Sequence, residues 1–158
     1  KSQMDNRIIL PNGSSEGGDL RPQLPQLDQN IARWNSLYDR LFDHFDRIDG
    51  ITIPKRKQHE AYVGSSIQFR ADALDRDQIP GFLARCAKRG VELKWFGEDE
   101  PKAFTSRYDS WKYIEDIPHL PKTLDVLSKT IDMRVPLTFD LDDCDVIADI
   151  ISQELKAA

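Results

Sequence analysis

The three histidines are the first residues to consider as catalytic bases, because an imidazole changes its charge near neutral pH. His44 lies in the acidic segment "DHFDRID", on the outer side of a helical pattern, where a solvated histidine is expected. His59 falls in a basic segment without a catalytic partner in sequence reach, and His119 precedes a predicted helix that it would cap or pack against. The chain also lacks a G-x-S-x-G elbow. We therefore predict no catalytic residue from local sequence.

Two further segments have the composition of ligand-binding loops. The run "FDLDDCDVIAD" (139–149) is rich in carboxylates but lacks the glycine and the final glutamate of a calcium-binding EF-hand. Capping and the helix dipole account for carboxylates at a helix start. The cluster "SSEGGD" (14–19) would cradle a phosphate only if a helix with free amides followed, and a flexible linker is expected instead. Cys86 and Cys144 lie among apolar residues and are predicted to be reduced core residues, so no metal site is expected.

Length and charge narrow the class of protein. The chain has 158 residues, which suits one domain with a real core, and a formal net charge of −5. An acidic balance disfavours a nucleic-acid partner. No apolar run approaches the roughly 20 residues that cross a bilayer, so no membrane partner is expected. The two cysteines, interpreted as reduced, predict a cytoplasmic location.

The hydrophobic pattern predicts an α+β fold in which a small, mostly antiparallel sheet is covered by helices. Residues 1–23 are expected to be a flexible segment, and residues 24–158 a folded domain. One long helix is predicted by apolar residues three or four apart, at Leu24, Leu27, Ile31, Trp34, Leu37 or Tyr38, Leu41, Phe45 and Ile48. Shorter helices are predicted over 77–90, opened by Asp77, over 121–130, and from Asp140 to about 155. Strands are predicted at 51–54, 65–72, 91–95 and 131–137, with a long polar and aromatic loop at 98–118.

The carboxyl half, "LPKTLDVLSKTIDMRVPLTFDLDDCDVIADIISQEL" (120–155), resembles the closing segment of the DegT/DnrJ/EryC1/StrS aminotransferases. Members of that family end in a Leu-Pro-x-Thr helix, a strand ending in Pro-Leu, and an acidic cap before a last amphipathic helix. The matching residues are Leu120, Pro121 and Thr123, then Val135, Pro136 and Leu137, and finally Asp140 through Ile151. Upstream, "LRPQLPQLDQNIARWNSLYDRL" is similar to the family's long helix between its large and small domains.

The resemblance implies the C-terminal, small domain of an enzyme that uses pyridoxal 5′-phosphate (PLP), commonly to transfer an amino group to a nucleotide-linked keto-sugar. In that family the large domain supplies the cofactor-binding sheet and the Schiff-base lysine. The chain alone is therefore expected to bind no PLP and to catalyse no reaction. The implied partner is the large domain of the parent enzyme or a second copy of this chain, as a homodimer. The alternative is a non-catalytic binding or oligomerisation module derived from that domain.

By the same resemblance, "GVELKWFG" (90–97) is similar to the strand that returns to the mouth of the active site. Trp95, Phe96 and Gly97 are then expected to line the substrate cleft, and Arg107 and Tyr108 to lie near it. Arg107 is the candidate for an anionic substrate group, because its fork of donors suits a carboxylate or phosphate. Packing of Trp95 and Phe96 in the domain's own core is the other interpretation. The apolar stripe from Leu24 to Trp34 is expected to be exposed.

Overall fold

The computed structural model describes residues 24–100 and 115–158. The chain enters through a single 3₁₀ turn, Leu24–Gln26, and the elements that follow are α1 (Leu27–Phe45), β1 (Ile51–Thr52), β2 (Ser66–Ala71), α2 (Ile79–Lys88), β3 (Lys94–Trp95), α3 (Pro121–Leu127), β4 (Thr130–Arg134) and α4 (Leu141–Lys156). None of the helices in these ranges is both long and apolar enough to cross a membrane.

The four strands form one sheet in the order β1-β2-β4-β3, and every neighbouring pair is antiparallel. Ile131, the second residue of β4, is opposite Phe69 of β2 on one side and Trp95 of β3 on the other. Alternate residues of β2, beginning with Ile67 and Phe69, are buried, as the alternation of the sequence predicted. The predicted α+β class, with a small antiparallel sheet and a long N-terminal helix, is confirmed.

The second half of α1 packs into the centre of the core. Leu37, Leu41 and Phe45 lie one turn apart on one face and are almost fully buried. Phe45 meets Phe69 of β2 edge-to-face, with ring centroids 5.0 Å apart. The thiol of Cys144 in α4 lies 3.8 Å from the Leu37 carbonyl oxygen. This half of the helix therefore joins the sheet to the last helix.

Both cysteines are free and buried, as predicted. Burial raises the pKa of each thiol, Cys86 in α2 and Cys144 in α4, to about 11. Neither thiol is a reactive thiolate near neutral pH, because a nucleophilic cysteine needs a lowered pKa and access to solvent.

The first half of α1 differs from the expected exposed stripe. Leu24 and Leu27 are 63% and 48% exposed, as predicted. Ile31 and Trp34 are only half-buried rather than fully exposed. The indole N–H of Trp34 donates to the carbonyl oxygen of Val135 at 2.9 Å, so the helix is already attached there to the segment after β4.

Several predicted boundaries are wrong because local backbone bonds compete with the pattern. The prediction that Asp77 opens α2 is wrong: Asp75 begins a 3₁₀ turn, Arg76–Gln78, and its N–H donates to the Gln78 side-chain oxygen at 2.8 Å. The predicted strand at 91–95 shrinks to two residues. Its first residue, Val91, instead donates its N–H to the Cys86 carbonyl oxygen and so extends the end of α2.

The ends of the other helices agree with the positions predicted from the sequence or differ from them by a few residues. Gly50 and Gly90 both have a φ of +87°, as expected for glycines that stop helices. The long helix ends at Phe45, before the predicted Ile48, and turns lead on to Gly50. Asp140 caps α4 as predicted, since its carboxylate accepts the Asp143 N–H at 2.9 Å.

A group of three charged side chains ties α1 to α4. Arg40 donates two hydrogen bonds to Asp145, at 2.6 and 2.7 Å, and His44 Nε2 lies 2.7 Å from the same carboxylate. The prediction of a merely solvated His44 is therefore wrong, since the partner comes from a helix one hundred residues later. Hydrogen bonds from Arg40 and His44 lower the pKa of Asp145 to about 2.

This ion-pair group predicts a pH dependence. The carboxylate of Asp145 has a pKa near 2 in the folded chain and about 3.9 in an unfolded one, so its stabilisation is present above pH 4 and lost as the pH falls toward 2. We expect Asp145→Asn to lower the urea midpoint at about pH 5, and the difference from wild type to shrink steadily as the pH falls from about 4 toward the folded pKa near 2.

Asp149→Asn is the matched control for this measurement, because Asp149 is an exposed carboxylate of the same helix. The urea midpoint of Asp149→Asn should depend on pH as that of the wild type does. A constant gap between wild type and Asp145→Asn over the whole range would contradict the proposed contribution of the ionised carboxylate.

Candidate functional site

The residues at the end of β3 are held against β4 and the end of α3. The indole of Trp95 is 6% exposed, and its Nε1–H donates to the Ser128 carbonyl oxygen at 2.9 Å. The backbone N–H of Phe96 donates to the Thr130 carbonyl oxygen at 3.0 Å. These bonds satisfy the polar groups of an edge strand that is only two residues long, which fixes the position of the aromatic pair.

Gly97 is required by the position of the Trp95 ring. A Cβ at residue 97 would lie 2.5 to 2.6 Å from Cε2, Cζ2 and Nε1 of the indole, well inside van der Waals contact. The indole therefore lies directly over the backbone of Gly97. The sequence Trp-Phe-Gly has a steric explanation, independent of any ligand.

Arg76 completes this site, which we call the β3 mouth and define as Arg76, Trp95, Phe96, Gly97 and Asp99. The guanidinium carbon of Arg76 lies 5.9 Å from the centre of the Trp95 ring. One of its nitrogens donates to Asp99 at 2.8 Å and lies 3.4 Å from the Gly97 carbonyl oxygen. The site thus combines an apolar wall with a cation.

A shallow depression lies beside the mouth, between Gly97 and the end of α3. It is lined by Arg76, Gly97, Leu124, Asp125, Leu127 and Ser128. The ion pair of Arg76 with Asp99 is exposed, and such a pair contributes little to stability. An incoming carboxylate or phosphate could therefore bind the remaining donors of the guanidinium without a large cost.

Only part of the predicted site falls on described residues. Trp95 is buried as part of the core, which agrees with the alternative that it packs in the domain's own core, whereas Phe96 is half-buried and lies outside the core cluster. Arg107 and Tyr108 lie outside the described residues. Arg76 was not predicted, because nothing in "ALDRDQIP" marks it; its place depends on how the turn before α2 packs on β3. Cleft lining by Trp95, Phe96 and Gly97 stays a prediction.

The surroundings of the two partly buried lysines do not fit PLP. The cofactor needs a lysine for its aldehyde, a carboxylate for its ring nitrogen and a group of donors for its phosphate. Lys94 and Lys129 are the described lysines that are partly buried. The amine of Lys129 donates to the Asp72 carbonyl oxygen. The depression beside Lys94 contains Glu98, but its other lining residues are apolar and offer no donors for a phosphate, namely Pro80, Leu83, Ala84, Ala87, Leu93 and the ring of Trp95.

Comparison with solved structures finds proteins whose folds are similar to that of this chain. The chain matches the aminotransferase TlmJ from Streptoalloteichus hindustanus with a TM-score of 0.67 at 16% identity, over 86% of this chain and 34% of that one. It matches 3-amino-5-hydroxybenzoic acid synthase with a TM-score of 0.69 at 18% identity, over 88% and 38%. A DegT DnrJ EryC1 StrS aminotransferase from Brucella abortus matches with a TM-score of 0.59 at 15% identity, over 82% and 32%.

No protein-family model matches the chain, and no curated protein matches it in sequence. At these identities the structural likeness establishes the fold alone. The resemblance to the DegT/DnrJ/EryC1/StrS aminotransferases is thus confirmed at the level of fold. The chain spans about a third of the length of the enzymes it matches, as expected for one domain of a larger protein.

The contact between Gly97 and Trp95 predicts the effect of a single methyl group. Gly97→Ala should destabilise the chain by about 1–3 kcal/mol, because the buried indole must move and its bond to Ser128 weakens. Urea unfolding followed by tryptophan fluorescence would measure this loss.

Gly81→Ala in α2 is the matched control. Its added Cβ would meet only the end of the flexible Arg85 side chain, at 3.4 Å, and alanine favours a helix, so stability should be unchanged or should rise by up to about 1 kcal/mol. Equal effects of the two substitutions would contradict the steric account of Gly97.

Proposed function

We propose that this chain acts as the small, C-terminal domain of a PLP-dependent aminotransferase of the nucleotide-sugar type. The observation that carries the proposal is the match of more than four-fifths of the chain to about a third of each of several aminotransferases. In this proposal a large domain, in the same protein or in a partner, holds the cofactor. The present residues shape one side of the substrate cleft.

The exposed start of α1 supports such an arrangement. Leu24 and Leu27 present apolar side chains to solvent at the end of the helix that is not covered by the sheet or by α4. Apolar side chains grouped at a helix end gain free energy when a neighbouring domain covers them. A large domain that precedes this helix is a suitable cover.

The β3 mouth is the part of the domain that we assign to the substrate. Trp95 and Gly97 give a rigid, close-packed wall, and Arg76 adds a cation next to it. A rigid wall orients a substrate with little loss of freedom, and a guanidinium binds its anionic group. Arg107 and Tyr108, which lie outside the described residues, are proposed to contribute to the same cleft.

The same proposal implies that the chain has no transaminase chemistry by itself. When the pure chain is mixed with PLP and reduced with borohydride, intact mass and peptide mapping should find little labelling, spread over several exposed lysines. No amino transfer from glutamate should exceed background. The chain unfolded in urea serves as the control, and its labelling pattern should be similar.

A single stoichiometric adduct on one lysine of the folded chain, absent from the unfolded control, would contradict this part of the proposal. The labelled lysine would then locate a cofactor site. Turnover with glutamate and a keto-sugar would contradict it as well.

The exposed residues at the start of α1 also favour a second candidate function, a non-catalytic module that associates with itself. If two copies cover each other's α1, sedimentation velocity should show association that rises with concentration. The double variant Leu24→Glu and Leu27→Glu should abolish it, because two charges would be buried in the contact. Val146→Glu, at an exposed apolar residue of α4, is the matched control. A strict monomer at high concentration would exclude this candidate for the isolated chain.

A further inference from the structure

The segment after β1 forms a second pocket, which the proposed function does not use. The guanidinium carbon of Arg56 lies 4.6 Å from the centre of the Tyr38 ring and 4.1 Å from that of Tyr62. The two rings are 5.5 Å apart and inclined at 60°, so they form a V that receives the guanidinium. We call this the Arg56 pocket; its lining is completed by Asp39, Phe42 and Lys55.

The rings of this pocket are held in place before any ligand arrives. Tyr38 is buried on α1 and stacks on Phe42. The Tyr62 hydroxyl donates to Asp39 at 2.5 Å, and the Tyr62 carbonyl accepts from the Asn35 side chain at 3.0 Å. Burial, then the bond to Asp39, raises the pKa of Tyr62 to about 12, so this hydroxyl stays protonated and keeps its donor role.

The edge of the guanidinium is left available. The contact with the two rings uses the positive charge of the guanidinium and consumes none of the hydrogen-bond acceptors that its five N–H donors could meet. Within residues 24–100 and 115–158, its contacts are the two rings, and no described carboxylate forms an ion pair with it. Neighbouring Lys55 has only a long contact, 3.9 Å, with Asp46. The cavity measures about 330 Å³ and carries two cations against the single carboxylate of Asp39.

We propose that Arg56 and Lys55 bind the phosphate group of a small phosphate ester. A guanidinium that lies over two aromatic rings keeps N–H donors for a further partner, and its fork matches two phosphate oxygens. A second cation matches the second charge of the dianion. The net charge of −5 repels extended polyanions, so a small molecule is favoured over nucleic acid or an anionic membrane. This site does not depend on the aminotransferase likeness.

The test is an NMR titration of the full 158-residue chain with inorganic phosphate, methyl phosphate and acetate. The side-chain Nε–H signal of Arg56 should shift saturably with both phosphates and several-fold more weakly with acetate. The Nε–H of Arg47, an exposed arginine in the turn after α1, is the internal reference and should not saturate. This comparison uses the wild-type chain, so it does not depend on the folding of any variant.

Two variants test the stacked geometry. Arg56→Lys keeps the charge but loses the fork and the stacking, and should weaken methyl phosphate binding about fivefold or more. Tyr62→Ala keeps every charge but removes one ring, and should also weaken it. Arg47→Lys is the matched control and should bind as wild type does. The far-UV circular dichroism of each variant checks its fold.

Three outcomes would overturn the proposal. Acetate binding as tightly as methyl phosphate would exclude a phosphate site. Unchanged methyl phosphate binding by Arg56→Lys would show that the site recognises charge alone and does not use the guanidinium fork. Tighter binding of single-stranded DNA or of phosphatidylserine vesicles than of methyl phosphate, with the same Arg56 shift, would exclude a small-molecule site.

Discussion

Burial of the second half of α1 is the constraint on which the rest of this structure depends. Leu37, Leu41 and Phe45 insert between β2 and α4, and burying each such side chain is worth roughly 1.5–3 kcal/mol. The edge-to-face contact of Phe45 with Phe69 sets the distance between helix and sheet. The bond of Arg40 to Asp145 then sets the register of α1 against α4. Because α1 is one rigid element, fixing its second half also fixes where its first half extends.

Two surfaces with different properties result from that arrangement. The 3₁₀ turn and the first residue of α1 offer the uncovered apolar side chains of Leu24 and Leu27, which suit another domain or another copy of the chain. At its middle the same helix supplies Tyr38 and Asp39 to the Arg56 pocket, which is polar and charged. The β3 mouth is built separately, by the edge of the sheet and the turn before α2. The β3 mouth is the surface that we propose for a substrate, whereas the Arg56 pocket is argued from its own contacts.

The candidate site could be predicted only in part from the sequence. The aromatic pair and Gly97 are visible as an unusual strand end, but their explanation is the position of the Trp95 indole over Gly97, which no spacing encodes. Arg76 and Arg56 resemble any other surface arginine in the sequence. Each acquires a role only when an aromatic ring from a different element is placed beside it. His44 was misread for the same reason, since its partner Asp145 lies on the last helix.

The sequence by itself determined the elements whose signals are local and repeated. The three-to-four spacing of α1, the alternation of β2, the capping aspartate at 140 and the glycines at 50 and 90 each encode backbone geometry within a few residues. The α+β class follows from the order of such elements, and the likeness to the aminotransferases was drawn from the motifs of the carboxyl half, such as Leu120-Pro121-x-Thr123. Only the tertiary structure decided the length of β3, the capping of α2 and the partners of the charged side chains. The partners of the charged side chains depend on contacts between residues far apart in the chain. The length of β3 and the capping of α2 depend on the short-range bonds of Val91 and Asp75, about which hydrophobic periodicity carries no information.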